Sequence, residues 1–254
     1  MAFIRARAHL LDMIGRGQKP LGAFITSTDP ATTEIMAEVG FDFVVIDGEH
    51  GPMGRVQLEN HVRAAKAGGI IPLARVLENA QPLIQATLDG GAQGIVIPHV
   101  DTAEQARAAV AACRFAPAGR RGMCPTVRSG GYRLDNWPAF TAAADENILV
   151  IPLIESRLGV ENIEEILAVE GIDIIHFGPG DLSADMGLGF LDDSGRVAEA
   201  WDRVRAAASA AGKYILSPRG LGFDDSELLA APMDLMILHQ AAARIVADHQ
   251  GAGG

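Results

Sequence analysis

The feature that most constrains this chain is a regular alternation of short apolar runs with amphipathic stretches, repeated almost from end to end. The predicted β runs are residues 21–26, 43–47, 71–76, 94–100, 148–155, 172–177, 214–217 and 235–239. The stretches between them, such as TAEQARAAVAACRF, space their apolar residues as helices do, and several end at glycine. This alternation predicts right-handed βαβ units and a parallel sheet. Eight units in 254 residues favour the α/β class, as a closed (β/α)8 TIM barrel rather than an open sheet.

No change of composition marks a second domain, so residues 1–254 are predicted to form a single barrel domain with a short N-terminal helix. The first residues, MAFIRARAHLLDMIGRG, are basic, but arginines interrupt their apolar run, and this predicts a helix rather than a signal peptide. The segment 116–136 has no periodicity and is rich in glycine, proline and arginine. An irregular stretch of this length in a compact domain is usually functional or disordered.

The charge balance limits the classes of partner that this protein is expected to bind. Twenty-one basic against 32 acidic residues give a net charge of −11, which argues against nucleic acid or an anionic membrane surface as the main partner. A few local arginines can still create a pocket for a small acidic ligand. The only cysteines are Cys113 and Cys124, which indicates a reducing compartment, and no apolar run reaches the ~18 residues of a membrane span. We therefore expect a cytoplasmic protein with neither nucleic-acid nor membrane partners.

Polar residues collect where the predicted strands end. The second run leads into Asp47-Gly48-Glu49-His50-Gly51, the third ends at Arg75, the fifth ends at Glu155, and the sixth leads through GPG to Asp181. In a (β/α)8 barrel the strands all end at one face, where the chemistry takes place. A single residue of this kind is often only a cap or a paired charge. Four from different strands predict a functional cluster.

Glu155 and Asp181 are two hard carboxylates on consecutive strands, without HxxxH or CxxC spacing nearby. Such a pair suits Mg²⁺ or Mn²⁺, which keep several water ligands, better than Zn²⁺. A glycosidase also needs two carboxylates, but its sugar groove is expected to be lined with aromatic rings. Aromatic residues make up only 5% of this chain, and this disfavours a glycosidase.

His50 lies between Gly48 and Gly51, where backbone can approach a ligand, and a histidine is the usual general base near neutral pH. The alternative for His50 is an exposed loop histidine. Arg75 is predicted to clamp a carboxylate or to stabilise an enolate, and the alternative is a salt bridge to Asp47 or Glu49. Three other histidines end predicted strands and are interpreted as packing or supporting residues: His99, His176 and His239.

Together these motifs carry a resemblance. FDFVVIDGEHGP, PLARV, LDGGAQGIVIPHV, FAPAGRRG, IPLIES and HFGPGDLSADMG occur in this order over roughly residues 20–240. As a set they resemble the HpcH/HpaI aldolase family, the metal-dependent class II pyruvate aldolases. The resemblance implies a barrel of the phosphoenolpyruvate/pyruvate type, whose last helix is exchanged between subunits of a homohexamer built as a trimer of dimers.

The resemblance also implies roles for individual residues. Glu155 and Asp181 match the ligands of Mg²⁺ or Mn²⁺, with Co²⁺ as a third candidate. His50 matches the catalytic acid–base, and Arg75 matches the arginine that binds substrate and steadies the enolate. Asp89 matches an acidic residue that raises the basicity of the histidine across a subunit interface.

Two further positions concern the substrate. The backbone of Gly180, together with Asp181, matches the part that meets the pyruvyl carboxylate. Leu153 lies two residues before Glu155, where many members carry glutamine, and its side chain is expected on the same face of the strand. Leucine offers only shape and apolar surface, so we expect hydroxypyruvate to be accepted beside pyruvate, unless Leu153 is ordinary barrel packing.

The predicted function is a metal-dependent aldolase, a carbon–carbon lyase. It reversibly cleaves 4-hydroxy-2-oxo acids to pyruvate or hydroxypyruvate and an aldehyde through a metal-stabilised enolate. Schiff-base chemistry is disfavoured because no lysine, among Lys19, Lys66 and Lys213, lies at the C-terminal end of a strand. One alternative is a lyase of the citrate-lyase β-chain or malyl-CoA kind, with the arginines of 120–133 binding coenzyme A phosphates, although these arginines fit the distal carboxylate of an aldehyde as well. The other is a non-catalytic barrel that binds 2-keto acids, although a pure binder needs no base.

Overall fold

The described part of the chain contains eight strands, in the order β1 (Leu21–Ile25), β2 (Phe43–Asp47), β3 (Ile71–Arg75), β4 (Gly94–Ile97), β5 (Leu149–Ile154), β6 (Ile174–Phe177), β7 (Tyr214–Pro218) and β8 (Leu228–Ala231). Each strand pairs in parallel with its neighbours in sequence, and β8 pairs with β1 to close the barrel. The structure is a computed structural model that describes residues 6–135, 137–190 and 195–251. The predicted (β/α)8 barrel of the α/β class is confirmed.

Helices alternate with these strands. In the described parts of the chain they are α1 (Ala6–Gly15), α2 (Ala31–Glu38), α3 (Arg55–Gly68), α4 (Gln81–Asp89), α5 (Ala103–Cys113), α6 (Trp137–Asn147), α7 (Arg157–Glu161), α8 (Ile163–Leu167), α9 (Pro179–Asp185), α10 (Arg196–Ala211) and α11 (Asp234–Gly251). None of these helices is long and apolar enough to cross a membrane.

Successive side chains of a strand point to opposite faces, and this separates two apolar cores. In β2, Phe43 and Val45 belong to the cluster inside the barrel, whereas Val44 and Ile46 belong to the cluster between the sheet and the helices. The interior is tightly filled. A Cβ on Gly22 would lie 2.0 Å from the Phe43 ring, so glycine is required where β1 faces this ring.

The end of the barrel where the strands begin is closed by α1. Ala6 and Leu10 of this helix are fully buried in the interior cluster. The Arg7 guanidinium donates from Nε to Asp173 Oδ2 at 2.6 Å and from Nη2 to Oδ1 at 3.0 Å, which fixes the helix beside the start of β6. The C-terminal ends of the strands therefore form the face available for a site.

One predicted strand is wrong. Residues 235–239 lie in α11, and the eighth strand is Leu228–Ala231. The sequence LLAA carries little β signal, but small side chains suit a strand that pairs with Gly22 and Ala23 of β1. The apolar run LMILH lies instead on a helix and leaves Leu235 largely exposed.

The irregular segment 116–136 contains turns but no helix or strand over 116–135, and position 136 lies outside the described residues. Its Arg121 is buried, so this part of the segment packs against the barrel. Cys113 is buried and Cys124 is exposed, and both are free thiols.

His176 makes the stability of the barrel depend on pH. It lies inside the barrel on β6, with Nδ1 2.9 Å from the carbonyl oxygen of Leu216 and its ring centroid 5.6 Å from that of Phe24. Burial lowers the pKa of His176 to about 4, from the ordinary value of 6.5. The unfolded chain therefore takes up this proton first. The stabilisation is fully present above pH 6.5 and is lost as the pH falls from 6.5 towards 4, at a cost of about 3 kcal/mol.

We predict that the stability of His176→Gln, whose side chain cannot titrate, depends less on pH than that of the wild-type protein. As the pH falls from 7 to 4, its free energy of unfolding should decrease by about 3 kcal/mol less than that of the wild-type protein. Urea denaturation at a series of pH values measures this difference. His239→Gln removes an exposed histidine of α11 and serves as the control, since its pH profile should follow that of the wild-type protein. Identical slopes for all three proteins would contradict the assignment to His176.

Candidate active site

Three strands carry an inward-facing column of side chains that changes from apolar to charged at its C-terminal end. Phe43 and Val45 are followed on the same face by Asp47, and corresponding positions on β3 and β5 place Arg75 and Glu155 at the same end of the barrel. All three charged side chains are buried. Asp47 and Arg75 are partners in the β2–β3 register.

Arg75 is held by two carboxylates. It donates from Nε to Asp47 Oδ1 at 2.9 Å and from Nη2 to Asp47 Oδ2 at 2.6 Å, and its Nη1 lies 3.0 Å from Glu49 Oε2. Burial on its own would raise the pKa of Asp47, but the hydrogen bonds and charge of Arg75 outweigh it and hold this pKa below its ordinary value. Two of the five N–H groups serve Asp47, so three remain for other partners. The salt bridges considered as alternatives for Arg75 are thus both present, and they leave donors free for a ligand.

Asp47 also shapes the loop that follows β2. Its Oδ1 accepts hydrogen bonds from the backbone N–H groups of Glu49 at 3.0 Å and His50 at 3.3 Å. Gly48 donates to the carbonyl oxygen of Arg75 at 2.9 Å, and a Cβ there would lie 2.8 Å from that oxygen. The result is a tight loop that presents His50 at the rim, with its side chain 53% exposed and Nε2 3.9 Å from Glu49 Oε2.

His99 joins Glu155 to Glu49. Glu155 Oε1 accepts from the backbone N–H of His99 at 2.8 Å and lies 3.1 Å from His99 Nδ1. His99 Nε2 lies 3.7 Å from Glu49 Oε1. His99 has a φ of +53°, a left-handed conformation that is uncommon for a residue other than glycine. A backbone held in this way at a strand end is typical of functional sites.

The electrostatics around Glu155 favour a cation. Burial raises the pKa of Glu155 to about 7, the His99 N–H opposes this shift, and the negative charges of Glu49 and Asp181 add to it. Glu49 Oε2 is buried and forms an ion pair with Arg75, but among the described residues no group donates a hydrogen bond to it. An additional positive charge would relieve the repulsion between these carboxylates.

The space beside Glu155 also fits an ion. A Cβ on Gly178 would lie 2.9 Å from Glu155 Cβ and 3.3 Å from its Oε2, so the absence of a side chain there leaves room next to the carboxylate. Asp181 is exposed in the first turn of α9, directly after this glycine. No cluster of three or more metal-binding side chains occurs among the described residues, so water and substrate oxygens would have to complete the coordination shell.

Leu153 and Gly180 are close in sequence to Glu155 and Asp181, respectively. Leu153 is the inward-facing residue below Glu155 and is buried in the interior cluster, with its Cδ1 3.0 Å from the position of a Cβ on Gly178. Gly180 lies against the exposed ring of Phe190, whose Cε2 would be 2.9 Å from a Cβ on Gly180. Both predicted substrate-binding positions are therefore next to the two candidate metal ligands.

Asp89 is not brought to this cluster within one chain. It is the last residue of α4, at the end of the barrel where the strands begin, and is buried. Its Oδ1 accepts a hydrogen bond from Arg121 Nη2 at 3.1 Å, and its carbonyl oxygen accepts from the N–H of Ser129 at 3.1 Å. Any role of Asp89 at His50 therefore requires a second chain.

Two residues of the cluster, Glu49 and His99, are absent from the predicted site. Their positions did carry a signal, since each directly follows the end of an apolar strand, in the sequences IDGEH and IVIPH. The sequence predicts His99 to be a packing or supporting residue, and its contact with Glu155 fits a supporting role. His239 does not end a strand, because it lies on α11.

We predict that Asp47→Ala lowers the free energy of unfolding by about 3–5 kcal/mol, because it leaves the Arg75 charge buried without its main partner. Asp135→Ala is the matched control: Asp135 also pairs with an arginine through two hydrogen bonds, but at an exposed position, and its loss should leave stability almost unchanged. Urea denaturation midpoints with unchanged slopes measure both effects. Equal losses in the two variants would show that burial of the Arg75 pair is unimportant.

Comparison with known proteins places this geometry in a family. The family model described as HpcH/HpaI aldolase/citrate lyase matches residues 21–227. The 2-keto-3-deoxy-L-rhamnonate aldolase of Salmonella typhimurium is 39% identical over 211 residues, which are 80% of this chain and 77% of that protein.

Comparison with solved structures indicates the same family. A HpcH/HpaI aldolase/citrate lyase family protein from Burkholderia cenocepacia superposes with a TM-score of 0.88 at 26% identity, covering 96% of this chain and 99% of that one. A HpcH/HpaI aldolase from Desulfitobacterium hafniense gives a TM-score of 0.87 at 28% identity, covering 95% and 96%. The chain therefore belongs to the HpcH/HpaI aldolase/citrate lyase family, and it is a carbon–carbon lyase of the class II aldolase type that acts on small molecules.

Proposed function

We propose that this protein is a divalent-metal-dependent aldolase that reversibly cleaves 4-hydroxy-2-oxo acids to pyruvate or hydroxypyruvate and an aldehyde. The observation that carries the proposal is the buried Glu155 carboxylate, which lies among Glu49, His99 and Asp181 at the same end of the barrel as Arg75. The Salmonella relative is named for a 2-keto-3-deoxy sugar acid, itself a 4-hydroxy-2-oxo acid, and this supports the substrate class.

Glu155 and Asp181 would hold the metal. The family is dependent on a divalent metal ion, and an all-oxygen ligand pair favours Mg²⁺ or Mn²⁺, with Co²⁺ as a third candidate. When bound, the ion supplies a Lewis acid that stabilises the enolate charge. Glu155 has to be ionised to take part, and a neighbouring cation favours that form.

His50 would move the proton. In the cleavage direction it accepts the proton of the C4 hydroxyl while the C3–C4 bond breaks to give the aldehyde and an enolate, and it then delivers this proton to C3 of the enolate. In the addition direction it takes the proton from C3 and delivers it to the new C4 alkoxide. Its exposed position at the rim leaves the ring free to reach a substrate. Arg75 would donate its remaining N–H groups to the enolate oxygen. Asp47 and Glu49 keep the guanidinium in place, so little reorganisation is needed during the reaction.

The substrate carboxylate would be met by the backbone at Gly180 beside Asp181. Leu153 would line the donor pocket below Glu155, and its lack of an amide supports acceptance of hydroxypyruvate beside pyruvate. The close approach of Leu153 to Gly178 supports contact with the donor, because this glycine borders the space beside Glu155.

We further propose that the chain acts as a homohexamer, a trimer of dimers, with α11 packed on a neighbouring subunit. Most of α11 is exposed, and it carries large apolar side chains that are exposed to solvent: Leu235, Met236, Leu238, Ile245 and Val246. Such a surface is typical of a subunit interface. The assembly would bring Asp89 of one subunit to His50 of the next. A single domain over residues 1–254 and a cytoplasmic location remain predictions from the sequence.

Metal dependence is tested by treating the protein with EDTA and following cleavage of a 4-hydroxy-2-oxo acid. We expect EDTA to abolish the activity and Mg²⁺ or Mn²⁺ to restore it, because two carboxylates hold such ions weakly. Glu155→Gln and Asp181→Asn should each lose activity with an unchanged circular dichroism spectrum. Asp185→Asn, an exposed carboxylate of the same helix as Asp181, is the control and should remain active. Full turnover without metal, together with a borohydride-trapped lysine adduct, would overturn the proposal.

Shared sites are tested by mixing subunits. His50→Ala and Asp89→Asn should each be nearly inactive, because each removes one half of the proposed pair. When the two variants are dissociated and reassembled in equal amounts, about one quarter of the sites would carry both wild-type residues, and activity should return to that level. The unmixed variants, taken through the same procedure, are the controls. Verified mixed oligomers without activity would show that Asp89 does not serve a neighbour's His50.

A further inference from the structure

A second polar cavity lies at the end of the barrel where the strands begin, opposite Glu155. Its volume is about 120 Å³, more than the about 30 Å³ that one water takes in the liquid. Lys66 of α3 lines it, as do Gln93 directly before β4 and Asn147 at the end of α6. The irregular segment 116–135 contributes Arg121, Arg128 and other residues to the wall.

Positive charge exceeds negative charge around this cavity. Four cationic side chains line it, those of Lys66, Arg121, Arg128 and Arg133, and two of them are paired with carboxylates: Arg121 with Asp89, and Arg133 with Asp135. Glu59 acts on Arg128 from a distance but is already paired with Arg63 at 3.1 Å. This concentration of cations contrasts with the net charge of −11 of the chain.

Several hydrogen-bond donors at the cavity have no partner among the described residues. The Arg121 side chain is 1% exposed, and its Nε and Nη1 are buried and unbonded while Nη2 binds Asp89. Arg128 Nε and Ser129 Oγ are also buried and unbonded. Unmade hydrogen bonds of buried charged groups are costly, and they are rare unless a ligand or water satisfies them.

The backbone is adapted to the same cluster. Gly91 has a φ of +99°, a conformation that favours glycine, and Arg128 Nε would lie 3.7 Å from a Cβ at this position. Arg121 is fixed from its other side, because its guanidinium carbon lies 4.6 Å from the centroid of the Phe115 ring. Burial, aided by the charge of Arg128, lowers the pKa of Lys66, which is what crowding of cations produces.

We propose that this cavity binds a small oxyanion of the phosphate class, either inorganic phosphate or a phosphate monoester, through Arg121, Arg128, Lys66 and Ser129. A phosphate group brings a charge between −1 and −2 and several acceptor oxygens, so it matches these three cations and their unbonded donors. A carboxylate would leave more of these donors unsatisfied. Within one chain the cavity lies at the end of the barrel opposite Glu155, and the hydrogen bond from Arg121 to Asp89 connects it to the proposed contact of Asp89 with a neighbour's His50.

The experiment is isothermal titration of the purified, assembled protein in phosphate-free buffer at constant ionic strength. Inorganic phosphate and glycerol 3-phosphate are the probes, and sodium chloride and sodium acetate are the controls. We expect saturable binding of one phosphate group per chain and a higher melting temperature in its presence. The tighter of the two probes identifies the source as free phosphate or a phosphate ester.

Binding measurements on single-residue variants test whether phosphate binds in this cavity. Arg128→Gln and Lys66→Gln should each weaken binding about 10- to 100-fold, the effect of losing one charge-assisted hydrogen bond. Arg107→Gln removes the same charge from an exposed position of α5 outside the cavity, and should bind as the wild-type protein does. Melting temperatures without phosphate show that each variant is folded.

Three results would overturn the proposal. One is the absence of saturable binding to the folded wild-type protein at millimolar phosphate. Another is equal binding by Arg128→Gln and Arg107→Gln, with a loss only in Arg75→Lys, which would place the anion in the active site. The third is binding to dissociated subunits alone, which would mean that a neighbouring subunit covers the cavity.

Discussion

The pairing of Arg75 with Asp47 takes two opposite charges out of water at the mouth of the barrel. Removing each charge from water costs several kcal/mol, and this cost is offset only when geometry and hydrogen bonding are good. Here both oxygens of Asp47 bind the guanidinium, and the same carboxylate also accepts two backbone N–H groups of the loop that carries His50. One buried carboxylate therefore fixes both the arginine and the loop, and the arrangement of the catalytic face depends on it.

Much of this face follows from the period of two along a strand. Once the apolar runs are aligned as barrel strands, Asp47, Arg75 and Glu155 share the inward face of their strands and must meet at one end. The eighth strand cannot be predicted in this way, because its Leu-Leu-Ala-Ala sequence has little β propensity. It is a strand because it pairs with β1. Closure of the barrel, a non-local condition, selected this strand over the more apolar run at 235–239.

Contacts between distant parts of the chain could not be predicted from the sequence. His99 contacts Glu155, which lies 56 residues further along the chain, and this contact depends on a left-handed backbone at His99. The residue type does not predict that conformation. From the sequence, the arginines of the irregular segment are expected to form a patch for coenzyme A phosphates or for a distal carboxylate. Arg121 is instead buried against Asp89 and Phe115, so it cannot be part of an exposed patch. Periodicity gives the direction of a strand side chain, but it gives no information on how a loop folds back.

Negative charge exceeds positive charge at the catalytic end of the barrel. The carboxylates of Asp47, Glu49, Glu155 and Asp181 outnumber the guanidinium of Arg75 there, and burial, together with the charges of Glu49 and Asp181, raises the pKa of Glu155 to about 7. A field of this sign opposes the formation of an anion such as an enolate. The arginine alone cannot reverse it, because two of the carboxylates already share its charge. A catalytic cycle through an anionic intermediate at this face therefore requires additional positive charge, and that charge would also favour the ionised form of Glu155.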